Sequence, residues 1–182
     1  MPVTDITKDL DTRTIVITAQ FAAPVERVWG IYADPRQLER IWGPPTYPAT
    51  FVEHELTPGT MSRYYMTGPD GSRSGGWWRI VAVDEPRSFT FDDGFADADL
   101  EPVDSMPVSH SVFAFESVDG GTRATYTSVY DTAEGLQQVL DMGVEEGATL
   151  AINQIDDLLA APAGRTRHGT GTGHGSRPVT AD

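Results

Sequence analysis

The chain has no cysteine and only one lysine, Lys8, among its 182 residues. Without thiols there is no disulfide framework, no thiolate metal site and no cysteine nucleophile, and a reducing cytoplasm is the expected location. Lys8 precedes the first expected strand, so no pocket lysine can form a Schiff base. Long hydrophobic runs are also missing. Nowhere do eighteen apolar residues follow one another, and the opening MPVTDITKDLDTR contains no apolar stretch of the signal-peptide kind. No membrane partner is expected. Positive charge is scarce as well: residues 1–162 carry ten basic against twenty-six acidic residues, a balance of −16. Such a surface repels a phosphate backbone at long range, which argues against nucleic acid and leaves solubility as the main role of the acidity.

Catalytic signatures are thin. His54 and His110 are the histidines of the part expected to fold, while His168 and His174 lie in the glycine-rich end. A metal site needs three or four converging ligands, so none is expected. The GTGTGHG run has no strand before it and no helix after it, and therefore is not a phosphate loop. No serine sits in a nucleophile elbow, and no cofactor is expected.

What is present is a clear order of elements. In FAAPVERVWGIYADPRQLERIWGPP a short strand ends and Pro24 opens a helix with Val25, Val28, Trp29, Ile31 and Tyr32 on one face. Pro35 opens a second short helix, each proline standing where a missing N–H costs nothing. Alternation predicts a first strand over residues 13–21 and later strands over 49–56, 60–67, 76–83, 88–92, 108–116 and 122–130, separated by Pro, Asp and Gly turn formers. Thr132 is the expected N-cap of a long helix reaching residue 161, with Leu136, Leu140, Val144, Gly147, Ala151, Ile155 and Leu158 in one stripe. Residues 1–12 read as an N-terminal extension, 13–161 as the domain, and 162–182 as a disordered tail.

Taken in order, the N-terminal segment, WGPP at Trp42, ELTPGTMSRYYMTGPDGSRSGGWWRIVAVDEPRSFTF, the FE…GGTRATY run and LQQVLDMGVEEGATLAINQIDDLLA resemble the SRPBCC, or START-like (Bet v 1-like), superfamily. The bacterial branch similar to the activator of Hsp90 ATPase is the nearest likeness. The resemblance implies an α+β helix-grip fold: a curved seven-stranded antiparallel sheet wrapped around a long C-terminal helix, two short helices after the first strand, and a cavity between sheet and helix. Thr60 stands where the family usually has a second glycine, and residues 94–106 form an acidic loop without a counterpart.

Strand parity nominates the lining of that cavity. Ser109, Ser111, Phe113 and Phe115 share one face, as do Ala124, Tyr126 and Ser128, then Ser62, Tyr64 and Met66, then Val52, His54 and Leu56. The ligand-binding candidates are Trp42, His54, Tyr64, Met66, Trp78, Ser111, Phe113, Tyr126, Gly143 and Gly147. Two glycines one helical turn apart cost about 1 kcal/mol each relative to alanine, which close strand approach, a bare pocket floor or a kink would explain. The first functional expectation is noncatalytic binding of a small hydrophobic molecule. A cyclase or dehydratase type of acid–base enzyme using His54, Tyr64 or Glu55 is the alternative, and a chaperone-associated interaction module is a third reading, implied by the resemblance. A protein partner or a homodimer fits the last.

Past Pro162 the sequence contains almost nothing apolar to offset the entropy of ordering it. Truncation after Gly164 should therefore leave the thermal midpoint unchanged in a calorimetric scan, and a drop of many degrees would show that the tail packs on the domain.

Overall fold

A computed structural model describes residues 1–161, so the expected tail lies outside the described residues. Eight strands form one antiparallel sheet in the order β1-β2-β8-β7-β6-β5-β4-β3. They are β1 (Val3–Asp9), β2 (Thr14–Phe21), β3 (Ala49–Glu53), β4 (Met61–Thr67), β5 (Arg73–Asp84), β6 (Ser88–Ala96), β7 (Ser109–Val118) and β8 (Gly121–Tyr130). After β2 the chain crosses through α1 (Val25–Ala33) and α2 (Pro35–Leu38) to the far edge of the sheet. From β3 it returns by successive antiparallel pairings until β8 closes against β2. The sheet and C-terminal helices are those of a helix-grip fold, with one strand more than the sequence pattern predicts.

The extra strand is β1, within the residues expected to be an extension. Its pattern, VTDITKD, has only Val3 and Ile6 partly buried, so no alternation advertises it. An edge strand needs only backbone partners, which β2 supplies from Val3↔Ala19 to Asp9↔Thr14. Lys8 reaches across to Glu145 at 2.6 Å. By contrast, β2 alternates cleanly: Ile15, Ile17, Ala19 and Phe21 are buried.

The helices before β3 form as their sequence dictates. All five apolar residues of the α1 face are buried, and the Asp34 side chain accepts from the Arg36 N–H at 2.9 Å to cap α2. The core beneath is largely aromatic. Phe89 and Phe91 stack at 5.2 Å, and Phe113 meets Phe91 edge-on at 4.9 Å and Tyr126 edge-on at 4.7 Å. The Tyr32 hydroxyl donates to the Tyr126 hydroxyl at 2.8 Å, pairing two buried groups.

The C-terminal helix is not continuous. It consists of α3 (Ala133–Asp141), capped by the Thr132 side chain on the Gly135 N–H at 2.9 Å, and α4 (Val144–Ala160). The break falls at Gly143, whose φ of +85° is the left-handed conformation that glycine tolerates and L-residues resist. α3 lies against β8, whereas α4 lies against β1 and β2. The apolar stripe survives the change of direction: Leu136, Ala151, Ile155 and Leu158 are buried, with Leu140 and Val144 partly so.

No strand presses on either glycine, since a Cβ at Gly143 or Gly147 would meet no atom within 4 Å. The two positions therefore separate. Gly147→Ala should stabilise the protein by up to about 1 kcal/mol through helix propensity. Gly143→Ala should destabilise it by roughly 1–2 kcal/mol through the positive φ. Denaturant melts of the two single variants check the opposite signs.

Candidate functional site

The concave face of the sheet is a grid of cross-strand rows, because antiparallel register aligns side chains that share a parity. One row runs Ser62, Trp78, Asp93, Ser109, Tyr130 across β4, β5, β6, β7 and β8. The next carries Ile80, Phe91, Ser111 and Ser128. The expected parity of Ser109, Ser111, Phe113 and Phe115 is observed, and all four are buried. Ser111 is hydrogen-bonded to Ser109 at 3.1 Å and to Ser128 at 2.9 Å, so this part of the face is a hydroxyl ladder.

On β3 the parity fails. A register shift between Phe51 and Glu53 leaves Val52 58% exposed, whereas His54 packs against Phe51 and Trp78. His54 is held at both ring nitrogens: Nδ1 lies 2.8 Å from the Ser62 hydroxyl and Nε2 lies 2.7 Å from the Tyr32 carbonyl oxygen. Burial pushes its pKa down, with the Tyr32 carbonyl acting in the opposite sense. It ties α1 to β4. Glu55, expected as an acid–base candidate if desolvated, is instead exposed and accepts from the Thr57 hydroxyl at 2.8 Å. His110 is on the outer face, between Asp92 at 2.7 Å and Asp131 at 3.0 Å. Among the described residues no cluster of His, Asp and Glu has metal-site geometry.

Several of the expected lining residues do meet. Trp42 sets its ring edge-on to Trp78 at 4.7 Å and to Tyr64 at 6.0 Å, and tilts against Phe113 at 6.4 Å. Tyr64 crosses over Gly76, where any Cβ would overlap its ring. This crossing carries the Tyr64 hydroxyl past β5 to Asp93 on β6, where it donates to Oδ1 over 3.4 Å. Met66 touches the site of a Cβ on Gly43, whose carbonyl accepts from Gln154 of α4 at 2.7 Å. The WGPP turn is thereby fastened to the helix. Tyr126 belongs to the Tyr32 pair deeper in the core. Gly143 is exposed beside a groove of about 360 Å³ lined also by Ile6, Thr149 and Leu150, away from the aromatic cluster. A larger groove of about 610 Å³ separates the β1–β2 turn from α3. The smaller groove runs between the edge strand β1 and the start of α4, and neither groove is lined by a residue of the aromatic cluster.

Asp93 is the residue that the candidates missed. It is closely surrounded yet only partly buried as a residue. Burial raises its pKa to about 7, with the Tyr64 hydroxyl and the nearby Trp78 indole pulling the other way. Tyr64 and Tyr130 are pushed well above the usual phenol range, by burial first and then by the adjacent Asp93. The indole N–H groups of Trp42 and Trp78 are buried without a hydrogen-bond partner. The signal for Asp93 was available: in FTFDDGF it stands in phase with Phe89 and Phe91, an acid on an otherwise aromatic face.

The fold and these motifs match known proteins. The family model described as activator of Hsp90 ATPase homolog 1-like protein matches residues 22–160. The chain belongs to this family. Protein Ms6760 of Mycobacterium smegmatis is 62% identical, the match covering 90% of this chain and 100% of that one with a TM-score of 0.82. A protein of Arthrobacter aurescens is 45% identical over 94% of this chain and 99% of its own, TM-score 0.84. One from Staphylococcus epidermidis is 31% identical over 86% and 93%, TM-score 0.74. No curated protein matches. The family's fold is of a ligand-binding type, and no helix among the described residues is long and apolar enough to cross a membrane.

A carboxyl whose pKa is raised from 3.8 to about 7 favours the folded state fully below about pH 4 and no longer above about pH 7. His110, raised by Asp92 and then Asp131, acts in the same sense, so the informative quantity is a difference between variants. Asp93→Asn should stabilise the protein by on the order of 2 kcal/mol at about pH 8 and by little near pH 4. Urea melts across that range check the trend; a difference that does not change with pH contradicts the raised pKa.

Proposed function

We propose that the protein binds a small, largely hydrophobic molecule on the concave face, without transforming it. The observation that carries this reading is the group of residues at the Tyr64–Asp93 end of the concave face that are not closed over: Trp42, Met66, Asp93 and Phe95 are each only partly buried. Residues of an ordinary core close over one another, as Phe89, Phe91 and Phe113 do here. Partly open apolar groups on the same face as one carboxyl and a few hydroxyls have the composition of a site that buries a ligand and orients it by one polar contact. The family fold supports the same reading.

A second reading has one observation in its favour. Asp93 beside Tyr64, with a pKa near neutrality, is suited to moving a proton, so an acid–base enzyme on this face would work through Asp93 rather than through the doubly bonded His54. Loss of conversion in Asp93→Asn with retained binding would favour it.

Protein purified from its own source should retain a small molecule in native mass spectrometry, and a hydrophobic probe dye should bind saturably. Trp42→Ala removes a wall contributed by the WGPP turn. It should weaken dye binding at least about tenfold at temperatures where circular dichroism shows the variant folded. Non-saturating dye binding in the unmodified protein, or an unchanged affinity in the variant, would overturn the reading.

A further inference from the structure

Resting on that reading of the concave face, we propose that the ligand is an apolar organic cation, an alkyl or aryl amine whose ammonium group pairs with the Asp93 carboxylate among aromatic rings.

Asp93 lacks the partner that a carboxylate in such surroundings requires. Among the described residues no Lys, Arg or His nitrogen lies within 4.0 Å of it, although Glu39 has Arg36 at 3.0 Å and the neighbouring Asp92 has His110 at 2.7 Å. The groups that face it are Tyr64 from β4, Trp78 from β5, Ser109 from β7 and Tyr130 from β8, none of them charged. A charge placed among low-dielectric walls is stabilised mainly by an opposite charge beside it, and here the described residues do not provide one.

The surrounding rings favour the same sign. Tyr64 and Trp78 adjoin the carboxyl and form one edge-to-face cluster with Trp42, the partly open ring of the three, and the electron-rich face of an indole attracts cations. An anionic ligand would bring a second carboxylate or a phosphate against Asp93 and against those faces. At longer range, the balance of −16 over residues 1–162 raises the local concentration of cations. Met66 and Phe95, both partly open, offer apolar surface for the rest of the molecule. A bound ammonium group would hold Asp93 ionised, and Tyr64 would continue to donate to it.

Isothermal titration calorimetry with three chain-matched probes, octylamine, octanol and octanoate, tests the class. At about pH 8 octylamine should bind at least about tenfold more tightly than octanol, and octanoate least of all. The margin should disappear in Asp93→Asn and shrink in the unmodified protein at about pH 5.5, where the carboxyl takes up its proton. Trp42→Leu, which keeps the carboxylate, should lose part of the margin and provides an independent arm if the asparagine variant does not fold. Octanol or octanoate binding as tightly as octylamine overturns the cation while leaving small-molecule binding intact. A margin undiminished in either variant assigns the preference to surface charge and overturns the inference. Absence of binding by all three probes removes the small-molecule reading together with it.

Discussion

The concave face depends on a two-residue phase carried through the antiparallel ladder from β6 through β7 and β8 to β2, and across β4 and β5 as far as Ile80. Because neighbouring strands are in register, one parity choice on β6 fixes which side chains meet on β5 and β7. Phe89, Phe91 and Asp93 all project inward for this single reason. A slip of one residue would exchange Asp93 for Asp92, which is on the outer face with His110. Where the ladder shifts the consequence is local: between Ile80 and Ala82 the phase of β5 against β6 changes, and between Phe51 and Glu53 Val52 faces out and His54 turns in to join α1 to β4.

Within that grid, size decides what is filled and what remains open. Phe89, Phe91, Phe113 and Trp78 occupy the middle of the face and leave little room. Tyr64 extends sideways across Gly76 because that position on β5 carries no side chain. The glycine is thus a steric requirement of the Tyr64–Asp93 contact rather than a turn former. The carboxyl pays for its position with a pKa near neutrality, and a group held at such a cost is a sounder pointer to a binding role than an ordinary core aromatic.

The helix break at Gly143 has a related origin. α3 lies against β8 and α4 against β1 and β2, and the chain passes from one helix to the other through the left-handed Gly143. The left-handed residue permits the change of direction, and the apolar stripe continues on both sides of it. Gly147, with open space around it, was indistinguishable from Gly143 in the sequence, where both are simply glycines on an amphipathic stripe.

Local sequence determined the two proline-started helices, the Thr132 cap, the alternation of β2, β7 and β8, and the aromatic content of the concave face. Each of these is set by residues close in the chain, through fixed φ, capping chemistry or a period of two. Tertiary structure alone decided the rest. The strand β1 exists because β2 offers it a backbone edge, which its own polar pattern does not announce. The inward turn of His54 comes from a bulge, and the exposure of Glu55 from the loop that follows. Asp93 could be placed on the inner face by parity, but its uncharged surroundings among the described residues and its contact with Tyr64 depend on side chains from four other strands. Those distances are properties of the closed sheet, and no local pattern encodes them.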